Sequence, residues 1–255
     1  MLDLILLKMK EGKKKSAFIV FAILGSIITL IVSATTFSTN ANYDLSSDYS
    51  QYGFQWTALS LIAALASVSL SANSVEKHRR GQFSDLISLN GIGKKHQYWS
   101  LVIANIITSL QMALVLIVAM TISFIVKKPD ITFISYMSAL LSYLLLVSCV
   151  TVIITGLSFI FSPIVCNLLG VMLVILGSLR GVLDIVVGNL GGVVSVILRN
   201  LLKLMPPISS FGQLSRDLFF GEFNSWNLVF SCLLYCWIAL GVLMIIIYGV
   251  VKNER

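Results

Sequence analysis

Charge is what this sequence has least of. Only 11% of its 255 residues are Asp, Glu, Lys or Arg, against about 25% in ordinary globular domains. Hydrophobic residues make up 57%, and the mean hydropathy is +0.94. A chain so poor in charge cannot coat a water-soluble globule, so the composition implies an integral membrane protein. Catalytic residue types are equally scarce. The two histidines, His78 and His96, stand eighteen positions apart, and no helical spacing pairs them. That excludes a metalloprotease site built from two His and a Glu on one helix. No expected membrane span holds two carboxylates, which argues against an aspartyl-type intramembrane protease. The four cysteines, Cys149, Cys166, Cys232 and Cys236, all lie in apolar runs, where they behave as small apolar residues. Cys232 and Cys236 sit one turn apart on one helix, a poor geometry for a disulfide. No metal site is expected. Long polar loops are lacking too, so the net charge of +7 has no soluble surface on which to gather, and nucleic acid is not an expected partner.

What the sequence does have is long uncharged runs. Five occur, at 16–43 (28 residues), 49–75 (27), 96–126 (31), 131–179 (49) and 223–251 (29). A charge at the bilayer centre costs at least ~2.5–3.5 kcal/mol, and a span needs ~20 apolar residues. The 49-residue run therefore holds two spans, broken at Phe161-Ser162-Pro163 because proline disfavours helix at the residue before it. The expected fold is all-α, one membrane domain over 1–255 with six spans near 17–37, 54–75, 99–126, 132–157, 163–183 and 227–251. The fourteen uncharged residues of 185–198, which include Gly188, Gly191 and Gly192, are too few to cross and fit a re-entrant or interfacial segment. Pro206 and Pro207 stop any helix over 193–205, and 185–225 as a whole is read as an outer or re-entrant region. Val32-Ser33-Ala34 resembles a leader cleavage site, but the apolar run before it exceeds the usual ~7–15 residues, so it is read as part of the first span.

Lysine and arginine set the orientation. The amino end, the connection 76–97 and the carboxyl end together carry twelve, and the opposite side carries six. The positive-inside rule then puts both chain ends in the cytoplasm, as an even span count requires.

Several shorter features have two readings. Leu2, Ile5, Leu6 and Met9 share one helical face within 1–15, with lysines elsewhere. This segment is either a helix lying in the membrane interface or a basic flank that orients the first span. The outer loop 38–53 carries Tyr43, Tyr49 and Tyr52, which with Phe54 and Trp56 read as an interfacial aromatic belt, the alternative being contact with substrate. Ser60, Ala64, Ser67 and Ser71 make one small-residue stripe, and Gly170, Gly177 and Gly181 another. Such stripes let membrane helices approach closely, within one subunit or between two. Arg180 and Asp184 stand at i, i+4 at the outer end of the fifth span, as a capping ion pair or as an outer gate.

The connection 76–97 is the most informative piece. Phe83, Leu86, Ile87 and Asn90 fall at i, i+3, i+4 and i+7, so 82–89 forms a short amphipathic helix between Gly81 and Gly91. An apolar ridge rimmed by charge marks a docking site; the alternative is a helix packed on the membrane or on neighbouring loops. Here Glu76, Arg79, Arg80, Gly81, Asp85, Leu86 and Ile87, followed by Lys94 and Lys95, resemble the permease subunit of ABC-2 type transporters. The expected topology is similar as well: an interfacial amino-terminal helix, six spans, and short outer helices before the last. Leu89-Asn90-Gly91 departs from many members, which have a proline there.

The resemblance implies that this loop is the coupling helix on an ATPase subunit, with Glu76, Arg79, Arg80, Phe83, Asp85, Leu86 and Ile87 in contact. It implies two permease subunits, alike or paralogous, and two cytoplasmic ABC ATPase subunits that carry the ATP and Mg. This chain lacks a G-x-x-x-x-G-K-[ST] loop, since Gly91-Ile92-Gly93-Lys94 has the wrong spacing and follows no strand. It is therefore expected to bind no cofactor and to be no enzyme by itself. Spans one, two and five, with the Gly191-Gly192 segment, are the candidates for lining the path. The expected function is ATP-driven export of a hydrophobic or amphipathic cargo across a bacterial plasma membrane, with membrane lipid around the chain. Small size and short loops resemble permeases that handle antimicrobial or toxin peptides, in modulin export or bacteriocin immunity, with polysaccharide, drug and lipid exporters as the other cargo classes. The rivals are an ion-gradient-driven secondary transporter, an intramembrane enzyme and a non-transporting membrane scaffold.

Overall fold

The computed structural model describes residues 2–34, 47–80, 87–127, 131–189, 192–221 and 226–253. Among these the regular structure is helical throughout, with no strand. In chain order the helices are α1 (Leu2–Lys13), α2 (Ser16–Ala34), α3 (Ser47–Ser71), α4 (Ser74–Arg80), α5 (Lys94–Lys127) and α6 (Phe133–Ile160). They continue with α7 (Pro163–Ser178), α8 (Arg180–Asn189), α9 (Gly192–Leu204), α10 (Ile208–Phe219) and α11 (Trp226–Asn253).

Four stretches, Gln55–Glu76, Lys94–Ile122, Phe133–Ile160 and Trp226–Lys252, are long and apolar enough to cross a membrane. The number rises to six if each of two bent pairs is one span: α1 with α2, bent by 59°, and α7 with α8, bent by 70°. The breaks follow local chemistry. Phe161 and Ser162 are extended, and Pro163 opens α7 at a position where its missing N–H costs no hydrogen bond. Thr132 caps α6 by accepting from the Ser135 N–H at 3.2 Å. Pro206 and Pro207 separate α9 from α10, as expected.

Packing uses the means available where apolar burial gives little drive. Hydroxyls inside the apolar helices bond back to their own backbone: Thr29 to Gly25, Ser67 to Ala63, Thr108 to Ala104 and Thr151 to Val147, at 2.7–2.8 Å. The serine-alanine stripe on α3 is buried within the chain, Ser60, Ala64, Ser67 and Ser71 each being at most 1% exposed. The glycine stripe is used only in part. A Cβ on Gly170 would lie 2.6 Å from Val68 Cγ1 and 2.8 Å from Ile154 Cδ1, so α7 meets α3 and α6 there. Gly177 lies against the Pro206 carbonyl, while Gly181 faces open space. α3 is thus packed deep within the chain, and its small face serves the chain's own core.

Two further expectations change. Helix α3 begins at Ser47, so 47–53 is helix rather than loop. Trp56 is not a belt residue. It is fully buried, its ring edge-on to Tyr143 at 6.1 Å and to Phe219 at 5.8 Å. The cause is α10, an amphipathic helix that buries Ile208, Phe211, Gly212, Ser215 and Phe219 against α3 and α6. The side chains of Tyr43, Tyr49, Tyr52 and Phe54 lie outside the described residues.

Candidate functional site: the lysine-rich junction

The expected site falls at the end of the bundle where α1, α4, the start of α5 and the end of α11 come together. α4 is pinned at its root. Val75 is buried with Tyr98, Leu101 and Val102 of α5, Val152 and Phe159 of α6, and Leu243 and Ile247 of α11. Polar contacts repeat the linkage. Asn105 donates from Nδ2 to Ser74 Oγ at 2.8 Å and to Thr155 Oγ1 at 3.2 Å, joining α4, α5 and α6.

A second network ties the connection to the same helices. His78, 1% exposed, lies 3.0 Å through Nε2 from Gln97 Oε1. The Gln97 amide donates to Ser88 Oγ at 3.0 Å and to the Ile92 carbonyl at 2.9 Å. With its NH2 so engaged, Gln97 presents its oxygen to His78, which makes Nε2 the protonated ring nitrogen. Ring contacts run in parallel, from His78 to Tyr98 at 6.0 Å and from Tyr98 to Phe159 at 5.1 Å, both edge-on.

The connection ends as a capped helix. Residues 87–89 are helical, Gly91 has φ +81°, its N–H donates to Ser88 O at 3.0 Å, and Ile92 N–H donates to Ile87 O at 3.3 Å. These are the two bonds of a Schellman motif, with glycine in the left-handed position that terminates a helix. Gly91 thus stops the helix without the proline of the resembling family.

Helix α1 closes the junction on the other side. Lys15 donates to the Leu70 carbonyl in the last turn of α3, and Lys8 pairs with Glu11 at 3.1 Å. Gly12 lets α1 approach α5, since a Cβ there would lie 2.8 Å from Thr108 Cγ2. Leu2 and Leu6 are exposed on the expected apolar face, and Leu4 turns inward. Between α1, α3 and α5 remains a cavity of about 20 Å³, the space a single water needs, bordered by Lys8, Glu11, Ser74 and Asn105.

Of the expected contact residues, Glu76, Arg79 and Arg80 lie on α4, with Glu76 in its first turn. Ile87 is half-buried in the last turn before Gly91. Phe83, Asp85 and Leu86 lie outside the described residues, as do the side chains of Arg79 and Arg80. Leu89, which was not among the expected contacts, is 82% exposed. Far from this junction, Arg180 and Asp184 pair at 3.9 Å in the first turns of α8, with half of the Asp184 side chain exposed. An exposed pair of that length adds little stability.

The partners that sequence reasoning missed are Gln97, Ser88, Asn105, Ser74 and Thr155. Only Asn105 gave a signal, an amide inside an apolar run that must find partners in hydrocarbon. Among the described residues no three His, Cys, Asp or Glu side chains gather as metal ligands. Among the described residues, Gln97 holds the end of the connection to α4 and α5, and Val75 and Asn105 join α4 to α5, α6 and α11. No family model matches this chain, and no curated protein matches it.

Proposed function

We propose that this chain is the six-span permease subunit of an ATP-driven exporter of the ABC-2 type. α2 then serves as the first span with α1 lying in the cytoplasmic interface, α7 with α8 serves as the fifth, and α9 and α10 lie outside. The connection 76–97 docks on a cytoplasmic ATPase chain, which supplies ATP and Mg. Two permeases and two ATPases form the working unit. One observation carries the reading: the Schellman-capped end of the connection is bonded through Gln97 to buried His78, whose helix is rooted in α5, α6 and α11. A lever that passes movement from a cytoplasmic partner into the spans needs such a stiff root, whereas a solvent loop does not. The cargo is hydrophobic or amphipathic, with antimicrobial or toxin peptides the favoured class, because the apolar runs carry no charge and the outer loops are modest. Inverted membrane vesicles carrying the full chain and its ATPase should accumulate a fluorescent amphipathic peptide when ATP is added, and not with a non-hydrolysable analogue. Uptake driven by an ion gradient without ATP would contradict this reading.

That outcome would favour the secondary transporter instead. Its supporting observation is the 70° break between α7 and α8, beside which Arg180 and Asp184 stand.

A further inference from the structure

Where α5 begins and α11 ends, the two helices leave a crevice of about 670 Å³ on the outer face of the bundle. Ligand sites commonly measure ~300–1,000 Å³. The walls are layered. At the mouth stand Lys95 and Lys252, both exposed, and among the described residues neither has a carboxylate partner. Four residues inward along each helix, roughly 6 Å, come Trp99 and Tyr248. About one further turn inward along α11 come Met244 and Ile245, both more than half exposed. Cation, amphipathic ring, aliphatic wall: that sequence matches phosphate, ester region and acyl chain in one leaflet of a bilayer.

We infer that this crevice binds one anionic phospholipid, its phosphate held by Lys95 and Lys252 and an acyl chain lying along Met244 and Ile245. Two arguments select this occupant. The crevice lining contains two ammonium groups and no carboxylate, so it offers nothing to the cationic half of a zwitterionic headgroup. Between Trp226 and Asn253 helix α11 contains no Asp or Glu, so this part of α11 in a second copy would bring another Lys252 to the crevice and no carboxylate. The bound lipid would also bridge α11 to α5, a pair that meets much less than α11 and α6 do. The site requires only that α5 and α11 lie in a bilayer, and it holds whether or not the chain is an exporter subunit.

The test uses the purified full chain in phosphatidylcholine vesicles. Its readout is the Trp99 fluorescence, taken as the difference from Trp99→Phe. Phosphatidylglycerol brominated on its acyl chains should half-quench that signal at a mole fraction roughly 25-fold below brominated phosphatidylcholine, about five-fold for each lysine. Lys95→Gln with Lys252→Gln should abolish the preference. Lys95→Arg with Lys252→Arg should keep it, as should the control pair Lys13→Gln with Lys14→Gln. Soluble glycerol phosphate should not compete. The inference is overturned by equal quenching with both lipids, or by a preference that survives the double glutamine variant. Competition by glycerol phosphate would make this a free-phosphate site. Protection of Trp99 from both lipids in a chain that runs as a dimer would assign the crevice to a second copy.

Discussion

At the level of single residues, the His78–Gln97 bond carries the most consequence. Both side chains are 1% exposed, and removing either one leaves the other's polar atoms buried. Leaving such a group unsatisfied costs about 1–3 kcal/mol, more than the bond itself contributes. His78→Ala and Gln97→Ala should therefore each lower the unfolding temperature in detergent, and the double variant should cost clearly less than the sum of the two. Additive losses would mean that the two side chains do not act on each other. Neither partner was legible beforehand, because nineteen positions separate them and no local period links them. Trp56 shows the same limit. An aromatic residue near a span end reads as an interface anchor until a distant amphipathic helix, here α10, folds over it. By contrast, Pro163, Pro206 and Pro207 could be read directly, since proline acts on its own backbone and needs no tertiary partner.

Among the elements, the connection between α4 and α5 depends on one glycine. With φ +81° and no atom within 4 Å of a built Cβ, Gly91 is required for its backbone and not for space. Gly91→Ala should cost ~1–2 kcal/mol from the left-handed conformation alone. Gly91→Asn should cost less, because asparagine tolerates that region. The loss should appear as faster amide hydrogen exchange over 87–92, with the remaining helices unchanged; equal protection in both variants and the parent would contradict the Schellman assignment. Helix ends of this kind are local, which is why a stop at Gly91 could be anticipated from the sequence. The start of α3 was harder. Charge marks where a span must end but not where a helix does, and Asp48 falls inside α3 instead of ahead of it.

For the whole molecule, the uncharged runs located the long apolar helices among the described residues, and the lysine and arginine count is what the expected orientation rests on. If both chain ends are cytoplasmic, a cysteine at Ser47 should react with an impermeant thiol reagent in intact cells, and one at Lys14 should react only after permeabilisation. The reverse pattern would invert the topology and remove the connection 76–97 from any cytoplasmic partner. What no apolar run could reveal is which faces meet: of the four long apolar helices α3 is the most buried and α11 the most exposed, with 22% of its apolar stretch buried.

The export reading stands or falls on whether the connection grips an ATPase. An apolar anchor seated in a partner groove is worth ~2 kcal/mol or more, and rim charges are worth less and weaken with salt. The direct measurement is recovery of a Walker-A-bearing ATPase with the detergent-purified chain, comparing the unaltered form with Leu86→Ala and Arg79→Ala at low and high salt. The account predicts clear recovery with the unaltered chain and strong loss with Leu86→Ala at either salt. Arg79→Ala should show a smaller loss that shrinks as salt rises. Absence of any ATPase from the unaltered chain, or full recovery with both variants, would contradict it.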